Sequence, residues 1–191
     1  MKQHFLNYSA RLQKVLEESD WTCVETLASA LMDAWVNDRQ VFLCGNGGSA
    51  GNAIHLANDF LYGVAINSGI GLKVEALAAN SAVLTCLAND LSYDQIYSSQ
   101  LQVKARSKDI LIVLSGSGNS SNVVRSLEIG AELGMKTFAI LGFDGGKCKD
   151  LVQVPIHFPI DDMQIAEDLQ LVIGHMCMQW LRSELVKNQS L

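Results

Sequence analysis

Two short apolar runs in this chain of 191 residues each end abruptly in a loop rich in glycine and serine. The first run is QVFLC (40–44), followed by GNGGS, and the second is DILIVL (109–114), followed by SGSGNSSN. A short apolar run bounded by turn residues is typical of a strand buried on both faces, as in a parallel sheet. A segment with helical spacing of apolar residues follows each loop. The pattern therefore predicts strand–loop–helix units with both loops at the carboxyl ends of parallel strands.

The rest of the chain continues this alternation, without an internal repeat or a linker. Apolar runs predict further strands over 72–77, 136–141 and 153–158, and helical periodicity predicts two helices within 2–37 and others over about 50–61, 81–100 with a break near 89–92, 122–133 and 163–185. Right-handed crossovers would place helices on both faces of the sheet. We therefore predict a single α/β domain over 1–191, three-layered and doubly wound, with a five-stranded parallel sheet and a helical extension over 1–37. Ligands of such sheets bind beyond the carboxyl ends of the strands.

Composition and charge exclude several classes of protein. The net charge of −6 argues against a general nucleic-acid binder, which needs a cationic face. No stretch approaches the ~20 apolar residues of a membrane span, and the N-terminus has no run like a signal peptide. The five cysteines form no CxxC pair, which favours reduced thiols and a cytoplasmic protein. Because 49% of the residues are hydrophobic and 18% charged, we expect apolar surface to be buried between sister subunits.

The first loop, residues 44–50, has the composition of an anion-binding turn. Its glycines let the backbone approach a ligand closely, and the next helix presents unpaired N–H groups and the positive end of its dipole. The loop matches neither the Walker A nor the GxGxxG spacing, so it does not indicate a nucleotide. An ordinary tight strand-to-helix turn explains the same residues, and this alternative stays open.

The second loop, residues 115–122, carries four serines and two glycines beside a helix start, with no basic residue close by. Hydroxyls and helix-start amides can surround a phosphate dianion without a positively charged side chain. Ordinary N-capping by Ser120 or Ser121 would need only one of these serines. The excess of hydroxyls therefore favours phosphate binding.

Two of the four histidines lie beside carboxylates on predicted helices. His55 and Asp59 are four residues apart and share one helical face. Glu167 and His175 are eight apart, a rise of about 12 Å, so their side chains would have to lean towards a common point. Imidazole and carboxylate groups suit zinc or another divalent metal. An ordinary hydrogen-bonded pair also explains a histidine beside an acid.

Four motifs carry a resemblance to a known family: FLCGNGGSA followed by a histidine, ANDLSYD, LIVLSGSGNSSNVV and the C-terminal GH. In this order they resemble the phosphoheptose isomerase branch of the SIS (sugar isomerase) superfamily, over roughly residues 39–181. The resemblance implies a flavodoxin-like sheet and a homotetramer whose active sites lie at subunit interfaces, with residues 1–37 at those interfaces. It also implies an aldose–ketose isomerase that converts sedoheptulose 7-phosphate to a heptose 7-phosphate through an enediol, without a nucleotide cofactor.

The resemblance also implies roles for individual residues. Substrate or phosphate contacts are expected at Asn46, Gly47, Ser49, Asp90, Ser115, Gly116, Ser117 and Ser120. Gln164 is a candidate contact to a sugar hydroxyl, although residues 161–164 are first explained as the capping segment of the last helix. One Zn²⁺ per subunit is expected on His55, Asp59, Glu167 and His175. Asp59, His175 and Glu167 are the expected catalytic groups. For Asp90, a helix-breaking cap is an equally simple explanation.

The chain departs from the family pattern at four places. Asp59 stands where the family has Glu, Glu167 where it has Gln, and Gly116 where Thr is common. An arginine that helps to hold the sugar phosphate is replaced by the segment 61–63, Leu-Tyr-Gly. Because Asp59 is one methylene shorter than Glu, three outcomes stay open. Glu167 serves as the base, Asp59 keeps that role with a shifted substrate, or isomerase activity is lost.

The competing function is a non-catalytic one. SIS-type proteins also serve as regulatory tetramers that bind sugar phosphates or a replication initiator. Loss of the usual Glu and Gln would fit such a role. The two retained histidines, His55 and His175, favour the enzyme, because a pure binding protein has less need of them.

Overall fold

The computed structural model describes residues 1–66 and 69–189. Eight α-helices and five strands follow one another in this part of the chain: α1 (Lys2–Glu18), α2 (Thr22–Val36), β1 (Gln40–Cys44), α3 (Gly48–Leu61), β2 (Lys73–Ala76), α4 (Ser81–Asp90), α5 (Ser98–Lys104), β3 (Ile110–Ser115), α6 (Ser121–Glu132), β4 (Lys136–Leu141), α7 (Gly146–Leu151), β5 (Val154–His157) and α8 (Met163–Gln189). Short 3₁₀ turns, Gly63–Ala65 and Tyr93–Gln95, follow α3 and α4. The predicted alternation of strands and helices is confirmed.

The five strands form one parallel sheet in the order β2-β1-β3-β4-β5. This is the predicted flavodoxin-like order, and it makes β1 and β3 neighbours. Their register pairs Cys44 with Val113, so the two strands end at the same edge of the sheet. Consequently, the two glycine- and serine-rich loops emerge side by side.

Two hydrophobic clusters cover the two faces of the sheet. Successive side chains of β1 alternate between them: Val41 and Leu43 point into the cluster under α2, α3 and α8, and Phe42 and Cys44 into the cluster under α5 and α6. This alternation is the two-residue period of a strand. Because both faces are covered, every residue of β3 is buried. The three-layer prediction is confirmed.

The N-terminal helices differ in how they pack. Helix α2 buries Leu27, Leu31 and Ala34 against the sheet. Helix α1 has no buried residue and packs only through a partly buried stripe that includes Tyr8 and Leu12. The predicted helical extension is therefore present, with α2 as part of the core and α1 at the surface.

Local differences from the predicted elements have simple causes. The segment 81–100 divides into α4, a 3₁₀ turn and α5, and the break lies at the predicted position. Helix α7 was not predicted, because its six residues are too few to show helical periodicity. Within the described residues, no helix combines the length and the apolar content needed to cross a membrane.

Candidate functional site

The second loop wraps around the amino end of α6. The Ser115 hydroxyl accepts a hydrogen bond from the Gly118 amide at 3.0 Å, and the Ser117 hydroxyl accepts one from the Asn119 amide at 3.4 Å. Ser120 occupies the N-cap position but makes no capping bond with its side chain. Its hydroxyl is therefore available to a ligand, beside the backbone amides of Ser121 and Asn122, which have no acceptor among the described residues.

The space beside Gly116 is occupied by a methionine of α8. A Cβ added at this glycine would lie 2.4 Å from Met163 Sδ. A threonine here, as is common in the resembling family, would require the Met163 side chain to move. Met163 therefore fills the space that a side chain at position 116 would occupy.

The first loop turns through a glycine and is held by a neighbouring helix. Gly47 has φ +54°, a conformation that favours glycine, and α3 begins at the next residue. Ser49 is buried, and its hydroxyl accepts a 3.0 Å hydrogen bond from Gln170 Nε2 on α8. Ser49 thus joins α3 to α8 and keeps its own hydroxyl hydrogen as a donor, so the ligand contact at this residue stays a prediction.

Asn46, also predicted as a substrate contact, pairs with a residue of the second loop. Its amide forms two reciprocal hydrogen bonds with the amide of Asn122, each 2.8 Å long. Sequence reasoning gave Asn122 no role. The only signal available was its position inside the SGSGNSSN motif.

Two tyrosines and an aspartate near the break between α4 and α5 also reach the loops. Tyr93 donates from its hydroxyl to Asn46 Oδ1 at 3.1 Å, and Tyr97 donates to the Gly45 carbonyl oxygen. Ser121 at the start of α6 donates to Asp94. In the ANDLSYD motif, the structure thus assigns the loop contacts to Tyr93 and Asp94.

Two of the predicted contact residues have other surroundings. Asp90 is exposed at the end of α4, where it accepts hydrogen bonds from Cys86 Sγ at 3.5 Å and Asn89 Nδ2 at 2.7 Å. Gln164 lies in the first turn of α8, and its backbone N–H donates a hydrogen bond to the Asp162 carboxylate. Within the described part of the chain, neither side chain makes a hydrogen bond to the two loops.

Helices α3 and α8 run in the same direction and pack closely, with Leu56 against Gly174. At this level His55, Asp59 and His175 converge. His55 Nε2 lies 2.9 Å from His175 Nε2, and Asp59 Oδ2 lies 3.5 Å from the first nitrogen and 3.3 Å from the second. The Asp59 side chain is 18% exposed and the two imidazoles are 51% and 40% exposed. The predicted grouping of these three residues is present.

The three side chains fit a zinc ion by donor type and by spacing. Two donors at about 2.0–2.1 Å from a tetrahedral zinc lie roughly 3.3 Å apart, which is close to all three distances in this group. Three protein ligands with a fourth position left open are typical of catalytic zinc. A direct hydrogen bond between the imidazoles would also suit the 2.9 Å separation, provided that one ring is a donor and the other an acceptor.

Glu167 does not join this group. Its carboxylate lies at the start of α3, 2.4 Å from where a Cβ on Gly48 would be. Gly48 and His55 are seven residues apart on α3, a rise of about 10 Å. Helical side chains point back towards the amino end of their helix, so Glu167 leans away from His175 instead of towards it. In this conformation the chain supplies three of the four expected metal ligands.

The fold, with two glycine- and serine-rich loops at adjacent strand ends, is that of an SIS domain, and the family profile described as "SIS domain" matches residues 4–142. The phosphoheptose isomerase of Chlorobaculum parvum is 36% identical over 181 residues, which cover 92% of this chain and 85% of that protein. The phosphoheptose isomerase of Aliarcobacter butzleri is 34% identical over 174 residues, with coverages of 91% and 87%. The chain belongs to the phosphoheptose isomerase family.

A solved structure agrees with this assignment. The phosphoheptose isomerase of Neisseria gonorrhoeae superimposes with a TM-score of 0.86 at 25% sequence identity, covering 95% of this chain and 98% of that one. The similarity includes the N-terminal helices, because so little of either chain lies outside the match.

Proposed function

We propose that this protein is an aldose–ketose isomerase that acts on a seven-carbon sugar phosphate, sedoheptulose 7-phosphate. The observation that carries the proposal is the convergence of His55, Asp59 and His175 on the pair of helices that also borders both loops. Membership of the phosphoheptose isomerase family supports the same activity. It does not favour the non-catalytic alternative.

The second loop holds the phosphate. The hydroxyls of Ser115, Ser117 and Ser120 and the first-turn amides of α6 supply hydrogen-bond donors, and the positive end of the helix dipole favours the dianion. Gly116 contributes its backbone amide only. With the phosphate bound here, the sugar extends past the first loop, along α3 and α8, to the histidines.

The reaction moves one proton between neighbouring carbons. Removal of a proton from C1 of the ketose gives an enediol, and return of the proton to C2 gives the aldose. Asp59 is the base, because its Oδ2 lies 3.3 Å from His175 Nε2 and its second oxygen, Oδ1, which accepts a 3.4 Å hydrogen bond from Asn58, can take up the proton. His175 acts as the partner acid at the sugar oxygens, through Nδ1–H whenever its Nε2 is bound to a metal ion. Both groups must lie within hydrogen-bond reach of the substrate.

A zinc ion would be held by His55 Nε2, His175 Nε2 and a carboxylate oxygen of Asp59. When bound, it would supply Lewis-acid stabilisation of the negative charge that develops on the sugar oxygens. Glu167 would become a fourth ligand only by turning away from Gly48.

In its observed position Glu167 is suited to bind the sugar. Its carboxylate is half-buried next to the first loop and accepts no hydrogen bond from any described residue. A carboxylate with free acceptor positions beside a polyol binds hydroxyl groups. Glu167 is therefore assigned to substrate hydroxyls, and Asp59 to proton transfer.

The protein works as a homotetramer in the cytoplasm. Both imidazoles are half-exposed in the single chain, so a neighbouring subunit is needed to exclude water from them. All five cysteines are free, as expected for a reducing compartment.

The experiment that tests this function is proton exchange in heavy water, followed by NMR. Protein purified without chelator is incubated with sedoheptulose 7-phosphate, and both the C1 proton and the appearance of aldose phosphate are monitored. We expect about one zinc per chain, lost in His55→Ala. Asp59→Asn should lower the rate by about 10²–10⁴-fold, the usual contribution of a general base. Glu167→Gln should mainly raise KM.

A neighbouring carboxylate provides the control. Asp168→Asn removes a negative charge one residue from Glu167, on a side chain that accepts a hydrogen bond from Tyr8 in α1, and should leave kcat and KM unchanged. If Glu167→Gln abolishes turnover while Asp59→Asn retains it, the two assignments must be exchanged. If metal-replete wild-type protein catalyses no exchange, the isomerase proposal is wrong.

A further inference from the structure

We propose that Asn46 and Asn122 form an amide bridge that fixes the separation of the two substrate-binding loops, and that both act as positioning residues. The inference rests on the proposed function for its catalytic consequence but on geometry alone for the bridge itself. Asn46 belongs to the first loop, and Asn122 lies in the first turn of α6, directly after the second loop. They are 76 residues apart in the chain.

The bridge is self-complementary. Each amide donates one N–H to the other's carbonyl oxygen, and both bonds are 2.8 Å long. Asn122 is 1% exposed, and its oxygen also accepts the Val123 amide at 3.0 Å. Asn46 is the only acceptor for Asn122 Nδ2 among the described residues, so loss of Asn46 leaves a buried donor unsatisfied.

Two tyrosines fix the first-loop end of the bridge. Tyr93 donates its hydroxyl hydrogen to Asn46 Oδ1, and Tyr97 donates to the neighbouring Gly45 carbonyl. Burial raises the pKa of Tyr97 well above its usual range, so this hydroxyl stays protonated and remains a donor. The loop is thus anchored at the peptide before Asn46 and at its side chain.

This arrangement leaves Asn46 little capacity for a ligand. Its oxygen already accepts from Asn122 and Tyr93, and one of its two N–H groups is used. Only one N–H remains for a substrate. Asn122 is too deeply buried to touch the sugar phosphate. The main effect of the pair is therefore on the gap between the loops.

The gap matters because each loop binds a different part of one substrate. The second loop holds the phosphate, and the first loop borders the path of the sugar towards Asp59. A displacement of about 1 Å between a bound group and the reacting atoms can lower a rate by about 10²-fold. Loss of the bridge should therefore reduce kcat more than it raises KM, since the phosphate site remains intact.

The kinetic test is a double-mutant cycle of Asn46→Ala, Asn122→Ala and the combined variant, with sedoheptulose 7-phosphate as substrate. Each single variant should lose about 10²-fold in kcat/KM, mostly in kcat. The combined variant should lose about the same, because the second substitution removes a bridge that is already broken. The matched control is Gln100→Ala, which deletes another buried amide, one bonded to the Leu77 and Ile96 carbonyls away from the loops. It should lower stability without changing kcat.

A second measurement is independent of catalysis. Hydrogen–deuterium exchange should become faster over 45–49 in Asn122→Ala and over 115–121 in Asn46→Ala, and at neither segment in Gln100→Ala. The bridge is refuted if exchange in the opposite loop stays at the wild-type rate, or if the two losses multiply to about 10⁴-fold in the combined variant. If wild-type protein turns over no sugar phosphate, the proposed function fails, and the exchange result alone decides the bridge.

Discussion

The second loop is held in place by a residue that has no side chain. Gly118 has φ +64°, and a Cβ at this position would lie 2.0 Å from the Gly145 carbonyl oxygen. Because the two backbone segments lie this close together, the Cys148 amide at the start of α7 can donate a 3.0 Å hydrogen bond to the Gly118 carbonyl oxygen. Gly118 therefore joins the second loop to the β4–α7 connection.

Replacing Gly118 by alanine should lower the free energy of unfolding, whereas the same replacement at Gly51 should not. Gly118→Ala places a methyl group against backbone and forces a left-handed conformation, so we expect a loss of about 2–4 kcal/mol in the free energy of unfolding. Gly51 is the matched control: it lies inside α3 with no atom near its would-be Cβ, so Gly51→Ala should gain about 1 kcal/mol. Urea unfolding of both variants measures this. A Gly118→Ala midpoint equal to that of wild type contradicts the packing argument.

The sequence predicted which residues belong to the candidate site better than it predicted which residues they contact. The two loops, His55, Asp59 and His175 follow from motifs and helical spacing. The roles of Asn46, Ser49 and Glu167 do not, because their contacts join distant parts of the chain. Asn46 meets Asn122, Ser49 meets Gln170, and Glu167 leans towards Gly48. Such pairings depend on side-chain direction in the folded domain, which composition and spacing do not determine.

At the scale of elements, the site depends on the start of α8. Asp162 caps this helix by accepting hydrogen bonds from the Gln164 and Ile165 amides at 3.1 and 3.2 Å. It also pairs with Arg11 of α1 at 2.8 Å. One carboxylate thus fixes the helix that carries Glu167 and His175 and attaches α1 to it.

The cap predicts a pH-dependent loss of stability. The Ile165 amide, aided by Arg11, holds the pKa of Asp162 below its usual range. Because the pKa is lower in the folded chain, the carboxylate stabilises the fold above the ordinary carboxyl pKa, and the contribution is lost as the pH falls through the folded-state value. Asp162→Ala should therefore lower the free energy of unfolding by about 1 kcal/mol at neutral pH, and the difference should shrink below about pH 4.

The neighbouring carboxylate is the control for this prediction. Asp161 is exposed and makes no hydrogen bond or ion pair within the described residues. Asp161→Ala should change stability by less than about 0.5 kcal/mol at either pH. Urea unfolding at both pH values gives the comparison. A constant difference between Asp162→Ala and wild type across this range would show that the cap does not depend on the charge.

At the scale of the whole molecule, the outer face of α2 and α8 carries a groove lined mostly by apolar side chains. This groove of about 530 Å³ lies between these helices, and its lining includes Trp21, Met176 and Trp180. Met176 and Trp180 are 43% and 39% exposed. Tryptophan and methionine are enriched at subunit interfaces. His55 and His175 are half-exposed on α3 and α8. A neighbouring subunit that packs against α8 would therefore also exclude water from the candidate site.

The proposed homotetramer can be tested at this face. Four chains of 20.8 kDa predict a particle of about 83 kDa by light scattering. Trp180→Glu places a charge in the groove and should shift the particle to smaller species, with a parallel loss of isomerase activity. Val103→Glu is the matched control, since Val103 is 74% exposed on α5, on the opposite side of the sheet. A monomeric wild-type protein would disprove the tetramer. If only Val103→Glu causes dissociation, the subunit interface lies on the α5 side of the sheet. The neighbouring subunit would then not shield His55 and His175 from water, as the proposed reaction requires.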